Sequence, residues 1–166
     1  MYENQETTLY LRIPIKIHFL KYLHSIERDR ITDDGWKPQP GTKLGNLFFG
    51  LIKWGNVPQY SKINPRHQKL NITSKYYLKI YIPEELCQQR ACYMSNYNYR
   101  IFVNHLDNIF YNDLIDYIEL NAPVLKTKDF VWKWMEQHQI EEDDIARDSL
   151  IRISRRKKHK YASNIN

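Results

Sequence analysis

Six bases fall within nine residues near the end of this chain: Arg152, Arg155, Arg156, Lys157, Lys158 and Lys160, with no acid among them. Cations at that density are suited to neutralising the phosphates of a polyanion. Each such contact releases counterions and makes affinity fall with salt. A second basic block runs from Gly35 to Pro83, with eight Lys or Arg and no Asp or Glu. The sign then reverses, with 13 acids against 6 bases from Glu84 to Ile151. Residues 1–151 are neutral overall, so the tail supplies the whole net charge of +6. Charge segregated in this way points to nucleic acid as the partner class. A solvated loop and a solubilising tail are the competing reading of the same residues.

Two short segments carry a second kind of recognition chemistry. Thr8-Leu9-Tyr10-Leu11-Arg12-Ile13 and Tyr77-Leu78-Lys79-Ile80-Tyr81-Ile82 both alternate apolar and polar residues, and both run into a proline, Pro14 and Pro83. Alternation of this period predicts half-buried strands. With the Leu and Ile side chains turned to a core, Tyr10, Arg12, Tyr77, Lys79 and Tyr81 face away. Paired antiparallel, the strands would form a ribbon with an acid-free outer face. A two-stranded ribbon fits the major groove, where Arg and Lys donate to guanine acceptors and rings touch thymine methyls. A sheet with one wet side would carry the same residue types.

Other chemistry finds less support. Asp107, Asp113, Asp116 and Glu119 ride one predicted helix, whereas a metal-dependent nuclease needs carboxylates converging from different elements. The six histidines show no metal-ligand spacing. Cys87 and Cys92 fit neither a zinc site nor a disulfide framework and read as reduced thiols. Pro40-Gly41-Thr42-Lys43 lacks the earlier glycine of a phosphate loop. Tyr161 beside Arg155 and Arg156 suggests a recombinase, but the companion residues of that reaction are not recognisable. The expectation is a protein without enzymatic activity, cofactor, metal or small-molecule ligand. Met1 to Thr8 is polar and acidic, and the longest apolar stretch, Leu44 to Trp54, is too short to span a bilayer. A cytoplasmic protein with no membrane partner is expected.

These groups need elements to hold them. After Pro14, apolar residues recur at helical spacing from Ile15 to Ile26. Glu27 to Gly41 reads as a loop. Thr42 caps a predicted helix from Lys43 to Trp54 that Gly55 ends. Asn56 to Lys69 is a second loop, and Glu84 to about Gln89 a short helix. A long amphipathic helix follows from about Tyr99 to Leu120, with Phe102, Leu106, Ile109, Phe110, Leu114, Tyr117 and Ile118 inward. Ala122-Pro123 closes it. Thr127 to His138 forms another helix on Phe130, Val131, Trp134 and Met135. A turn over Gln139 to Glu142 then leads to a final helix starting near Asp143 or Asp144. Its acids lie first and its bases last, as the helix dipole prefers, yet five bases from Arg155 to Lys160 exceed that need. Joined so closely, the last two helices form a helix–turn–helix-like pair.

A strand, a proline, a helix, a loop and a second helix resembles the ribbon–helix–helix class of DNA-binding proteins. In this chain the pattern occurs twice, from Thr8 to Trp54 and from Lys75 to Leu120, so that one chain resembles a fused dimer. The resemblance implies groove contacts from Tyr10, Arg12, Tyr77, Lys79 and Tyr81. The Lys-, Asn- and Tyr-rich composition also resembles small proteins of phages and mobile elements. The expectation is therefore a mainly helical α+β protein with a short antiparallel ribbon, about five to six helices and a helix-turn-helix-like end. Residues 1–121 would form a strand–helix core with two related halves, and residues 122–166 a helical hairpin with a basic tail. It would bind double-stranded DNA, alone or as a homo-oligomer, and control transcription. A structural or protein-interaction component is the alternative.

Overall fold

The computed structural model describes residues 9–32, 35–54, 75–82, 92–121 and 127–163, with backbone alone at 9–10, 53–54, 92–93 and 157–163. The expected helix at 84–89, the loop at 56–69 and the stop at Ala122-Pro123 lie outside these residues, as do the side chains of Tyr10, Lys157, Lys158 and Lys160. The chain divides into two compact units. One holds residues 1–16 and 28–103, the other 17–27 and 104–166.

Strand β1 (Leu9–Ile15) runs through Pro14 instead of stopping at it. Its place explains why. β1 is an outer strand of a four-stranded sheet that continues through residues 76–82, then 35–36, then 31–32, and an edge tolerates a residue that cannot donate to the ladder. β5 (Tyr76–Ile82) pairs antiparallel with β1 along its whole length. β2 (Ile31–Thr32) and β3 (Gly35–Trp36) form a small hairpin, and β3 lies parallel to β5 with Trp36 beside Ile80. The expected two-stranded ribbon is therefore corrected: the predicted strand pair exists, but as half of a mixed sheet. Gly35 makes the wider sheet possible. Its φ is +124°, and a Cβ there would stand 2.6 Å from the Lys79 carbonyl oxygen.

Helix α2 (Lys43–Leu51) begins as expected, with Thr42 Oγ1 accepting from the Gly45 N–H at 3.0 Å. It ends one turn early. Asn98 Nδ2 donates to the Leu51 carbonyl at 2.6 Å, and the chain passes through an extended Ile52 into β4 (Lys53–Trp54). β4 pairs antiparallel with β6 (Cys92–Tyr93). Trp36, Phe48 and Phe102 pack edge-on or tilted at 5.5–6.3 Å under the main sheet. The Tyr99 hydroxyl donates to the Pro14 carbonyl at 2.7 Å, and burial pushes its pKa up to about 12.

Helix α3 (Asn96–Asn121) starts three residues before its predicted N-terminus because Ser95 Oγ accepts from the Asn98 N–H. Residues up to Val103 belong to the first unit and the remainder to the second. In the second unit, Phe110 is the hub of the core. Its ring meets those of Phe19, Tyr22, Tyr111 and Trp134 at 5.0–5.2 Å, all near-perpendicular. Phe19 and Tyr22 come from α1 (Ile17–Ile26), and Trp134 from α4 (Thr127–Gln137). α4 buries the four residues foreseen for it, Phe130, Val131, Trp134 and Met135. The link to α5 (Arg147–Ser163) is longer than expected. Asp144 does not start a helix. Its carboxylate accepts from the Glu141 N–H at 2.8 Å and meets Lys21 Nζ at 2.7 Å, which closes a turn. Glu142 then accepts from the Arg147 N–H and caps α5. Among the described residues the architecture is mainly helical α+β, with five helices.

Candidate nucleic-acid interface

The β1–β5 register sorts side chains by face. Directly opposed residues share a side, so Leu11 with Ile80 and Ile13 with Leu78 point one way, while Arg12 with Lys79 and Pro14 with Tyr77 point the other. Burial agrees: Ile13, Leu78, Ile80 and Ile82 are each at most 2% exposed, whereas Arg12 is exposed and Tyr77 is 54% exposed. Lys79 and Tyr81 are partly exposed on the same side. Tyr10 is placed opposite Tyr81 by its backbone. The alternation therefore assigned the two faces correctly, and four of the five predicted strand residues meet on the wet one.

Lys37 also joins this face. It leaves β3 with Nζ 5.6 Å from the centre of the Tyr81 ring, a cation–π contact. It was legible only as one charge in an acid-free block. Its position depends on the hairpin of β2 and β3, which no periodicity announced. Arg12, Lys37 and Lys79 thus surround two tyrosines. The nearest acids in sequence on the hairpin, Asp33 and Asp34, lie outside the described residues.

The second unit carries the other predicted cluster. Arg152, Arg155 and Arg156 are exposed on α5 and line a shallow groove of about 370 Å³ together with Lys128, Asp148 and Ile151. Ile151 forms the buried floor of that groove, and Leu150 and Ser154 bury the opposite side of the helix. Lys128 comes from the first turn of α4, and a sequence scan along α5 could not have found it. Four cations against one carboxylate leave the groove positive.

One acid of α3 is engaged by buried side chains of its own unit. Asp113 Oδ2 accepts from Trp134 Nε1 at 3.0 Å and stands 3.5 Å from His138 Nε2. His138 Nδ1 lies 2.5 Å from Ser25 Oγ. Bonding to His138, then to Trp134 and Tyr22, holds the Asp113 pKa below the usual carboxylate range against the opposing effect of burial. Ser, His and Asp are the residue types of nucleophilic catalysis. Here, however, the Ser25 hydroxyl donates to the Tyr22 carbonyl at 2.7 Å. The imidazole is 5% exposed and packs between the rings of Trp134 and Tyr22. The trio ties α1, α3 and the end of α4 together. Among the described residues, no three His, Cys, Asp or Glu side chains stand together as a metal site would require. No described helix is long and apolar enough to cross a membrane.

No known protein family matches the chain, nor does any curated protein or solved structure. The two basic surfaces must be read on their own chemistry. One is a flat sheet face with rings, the other a groove of guanidinium groups.

Proposed function

We propose that this protein binds nucleic acid without catalysis. The α5 groove would neutralise phosphates through Lys128, Arg152, Arg155 and Arg156. The wet sheet face would contact backbone and bases through Arg12, Lys37, Lys79, Tyr77 and Tyr81. The observation that carries this reading is the register itself: Arg12 stands opposite Lys79, between Tyr77 and Tyr81, on the face turned away from the core.

The test is binding of labelled random-sequence DNA, followed by fluorescence anisotropy at two salt concentrations. The native chain should bind and lose affinity steeply with salt, and Arg12→Ala with Lys79→Ala should weaken binding and flatten that dependence. Absence of binding, or a double variant that binds as the native chain does, would overturn the reading.

A protein-interaction role is favoured by one feature. Trp132, Met135 and Ile140 line a second groove, of about 330 Å³, bordered by Glu136, Glu141 and Glu142. An apolar floor with an acidic rim suits a basic peptide.

A further inference from the structure

We infer that the sheet face takes single-stranded nucleic acid in preference to duplex, a conclusion that rests on the nucleic-acid reading above and adds the form of the polymer. Width separates the two forms. Adjacent strands lie about 4.8 Å apart, so four strands span about 14 Å before side chains are added. The major groove is about 12 Å wide. A lone β1–β5 ribbon would enter it, but β3 flanks β5 at Ile80, directly beside Lys79 and Tyr81. Beside Lys79 and Tyr81, where the two-residue strands β2 and β3 widen the sheet, the surface is therefore too broad to descend into a duplex.

A platform is what unstacked bases need. Every base has a π-face, so rings on an open surface hold single strands with little regard to sequence, while cations track the backbone. Tyr77 and Tyr81 stand four residues apart on β5, about 13 Å along the strand. Lys79 lies midway between them, with Arg12 opposite it across the ladder. Ring, cation pair and ring thus repeat along one line. Tyr77 is more than half exposed, and at Tyr81 an incoming base would replace Lys37, whose ammonium stands 5.6 Å from the ring centre and would turn to the phosphates. Stacking of one base on each ring would leave the intervening phosphates over Arg12 and Lys79. In a duplex the bases are stacked on one another, and these rings would have no partner.

The experiment compares labelled single-stranded DNA, single-stranded RNA and duplex DNA of one length at one salt concentration, by anisotropy. Tighter binding of either single strand than of duplex is expected. Tyr77→Ala and Tyr81→Ala should each weaken single-strand binding about tenfold or more, while leaving duplex binding, carried by the α5 groove, nearly unchanged. Tyr77→Phe and Tyr81→Phe should keep most of the affinity, which separates stacking from loss of the hydroxyl. Circular dichroism confirms that each variant is folded, and Tyr77 is exposed enough that its removal leaves the core intact. Duplex binding as tight as single-strand binding would overturn the inference but not the wider reading, as would alanine variants that retain native affinity. Failure to bind any of the three polymers would overturn both.

Discussion

Substituting Arg155 and Arg156 by alanine tests the α5 groove most directly, because the expected change can be computed. Four cations line the groove: Lys128, Arg152, Arg155 and Arg156. Each phosphate neutralised on duplex DNA contributes about −0.9 to the slope of log affinity against log salt, so four would give about −3.6. A fourfold rise in salt would then cost about 150-fold in affinity through these contacts alone. Removing two cations should lower the slope by about 1.8 and reduce that loss to about twelvefold. Both arginines are exposed, whereas Leu150, Ile151 and Ser154 hold α5 in place, so folding should be unaffected. Cutting the chain at residue 152 would be a poorer experiment, since it also removes buried Ser154. The assay is anisotropy across a salt series with equal-length duplex, with melting curves alongside. A variant with native stability and a native slope would refute the claim that the groove touches phosphate.

Three further outcomes are expected. Gly35→Ala should destabilise the first unit by about 1–3 kcal/mol, measured by urea denaturation, because a side chain at φ +124° is strained and its Cβ meets the Lys79 carbonyl. Acid should weaken the second unit. Asp113 is lowered chiefly by its bond with His138, and at Asp144 the bond from Lys21 and other favourable contacts outweigh a larger opposing effect of burial. A depressed carboxylate contributes stability that is complete above the ordinary aspartate range and is lost as pH falls through the folded-state value. Melting temperature should therefore drop below about pH 4, less steeply in Asp113→Asn. Ser25 should stay unlabelled by a fluorophosphonate probe, since its hydroxyl is donated to the Tyr22 carbonyl and its imidazole partner is buried. Mass-spectrometric detection of the adduct at Ser25 would restore a catalytic reading.

What could be read from the sequence was what repeats locally. The period of two in β1 and β5 gave both the strands and their faces, because a half-buried sheet writes its orientation into alternate residues. The period of 3.6 in α3 gave Phe102, Leu106, Phe110 and Leu114, all fully buried. What escaped was set by single hydrogen bonds between distant residues. Asn98 shortens α2 from 47 residues away. Lys21 and the Glu141 N–H claim the carboxylate of Asp144, which would otherwise have begun α5. Ser25 meets His138 across 113 residues. None of these leaves a pattern in composition or spacing. Pro14 misled for a related reason: proline stops an inner strand but not an outer one, and only the sheet order says which it is.

The difference between ribbon and platform comes down to two residues that no periodicity could reveal. β3 is Gly35 and Trp36, too short to alternate. Gly35 allows its backbone to approach Lys79 closely, and Trp36, fully buried against Phe48 and Phe102, fixes it there. The indole anchors the hairpin, and the hairpin places Lys37 over Tyr81. A glycine and a tryptophan thereby alter what the outward residues of β5 can reach, although they contribute no charge themselves. Under the proposed reading, the same Arg12 and Lys79 that would donate to guanine on a narrow ribbon would, on a broad sheet, meet polymers that can lie across it. Sequence patterns placed these side chains on one face, but under the proposed reading the width of the surface presenting them decides which form of nucleic acid they would meet.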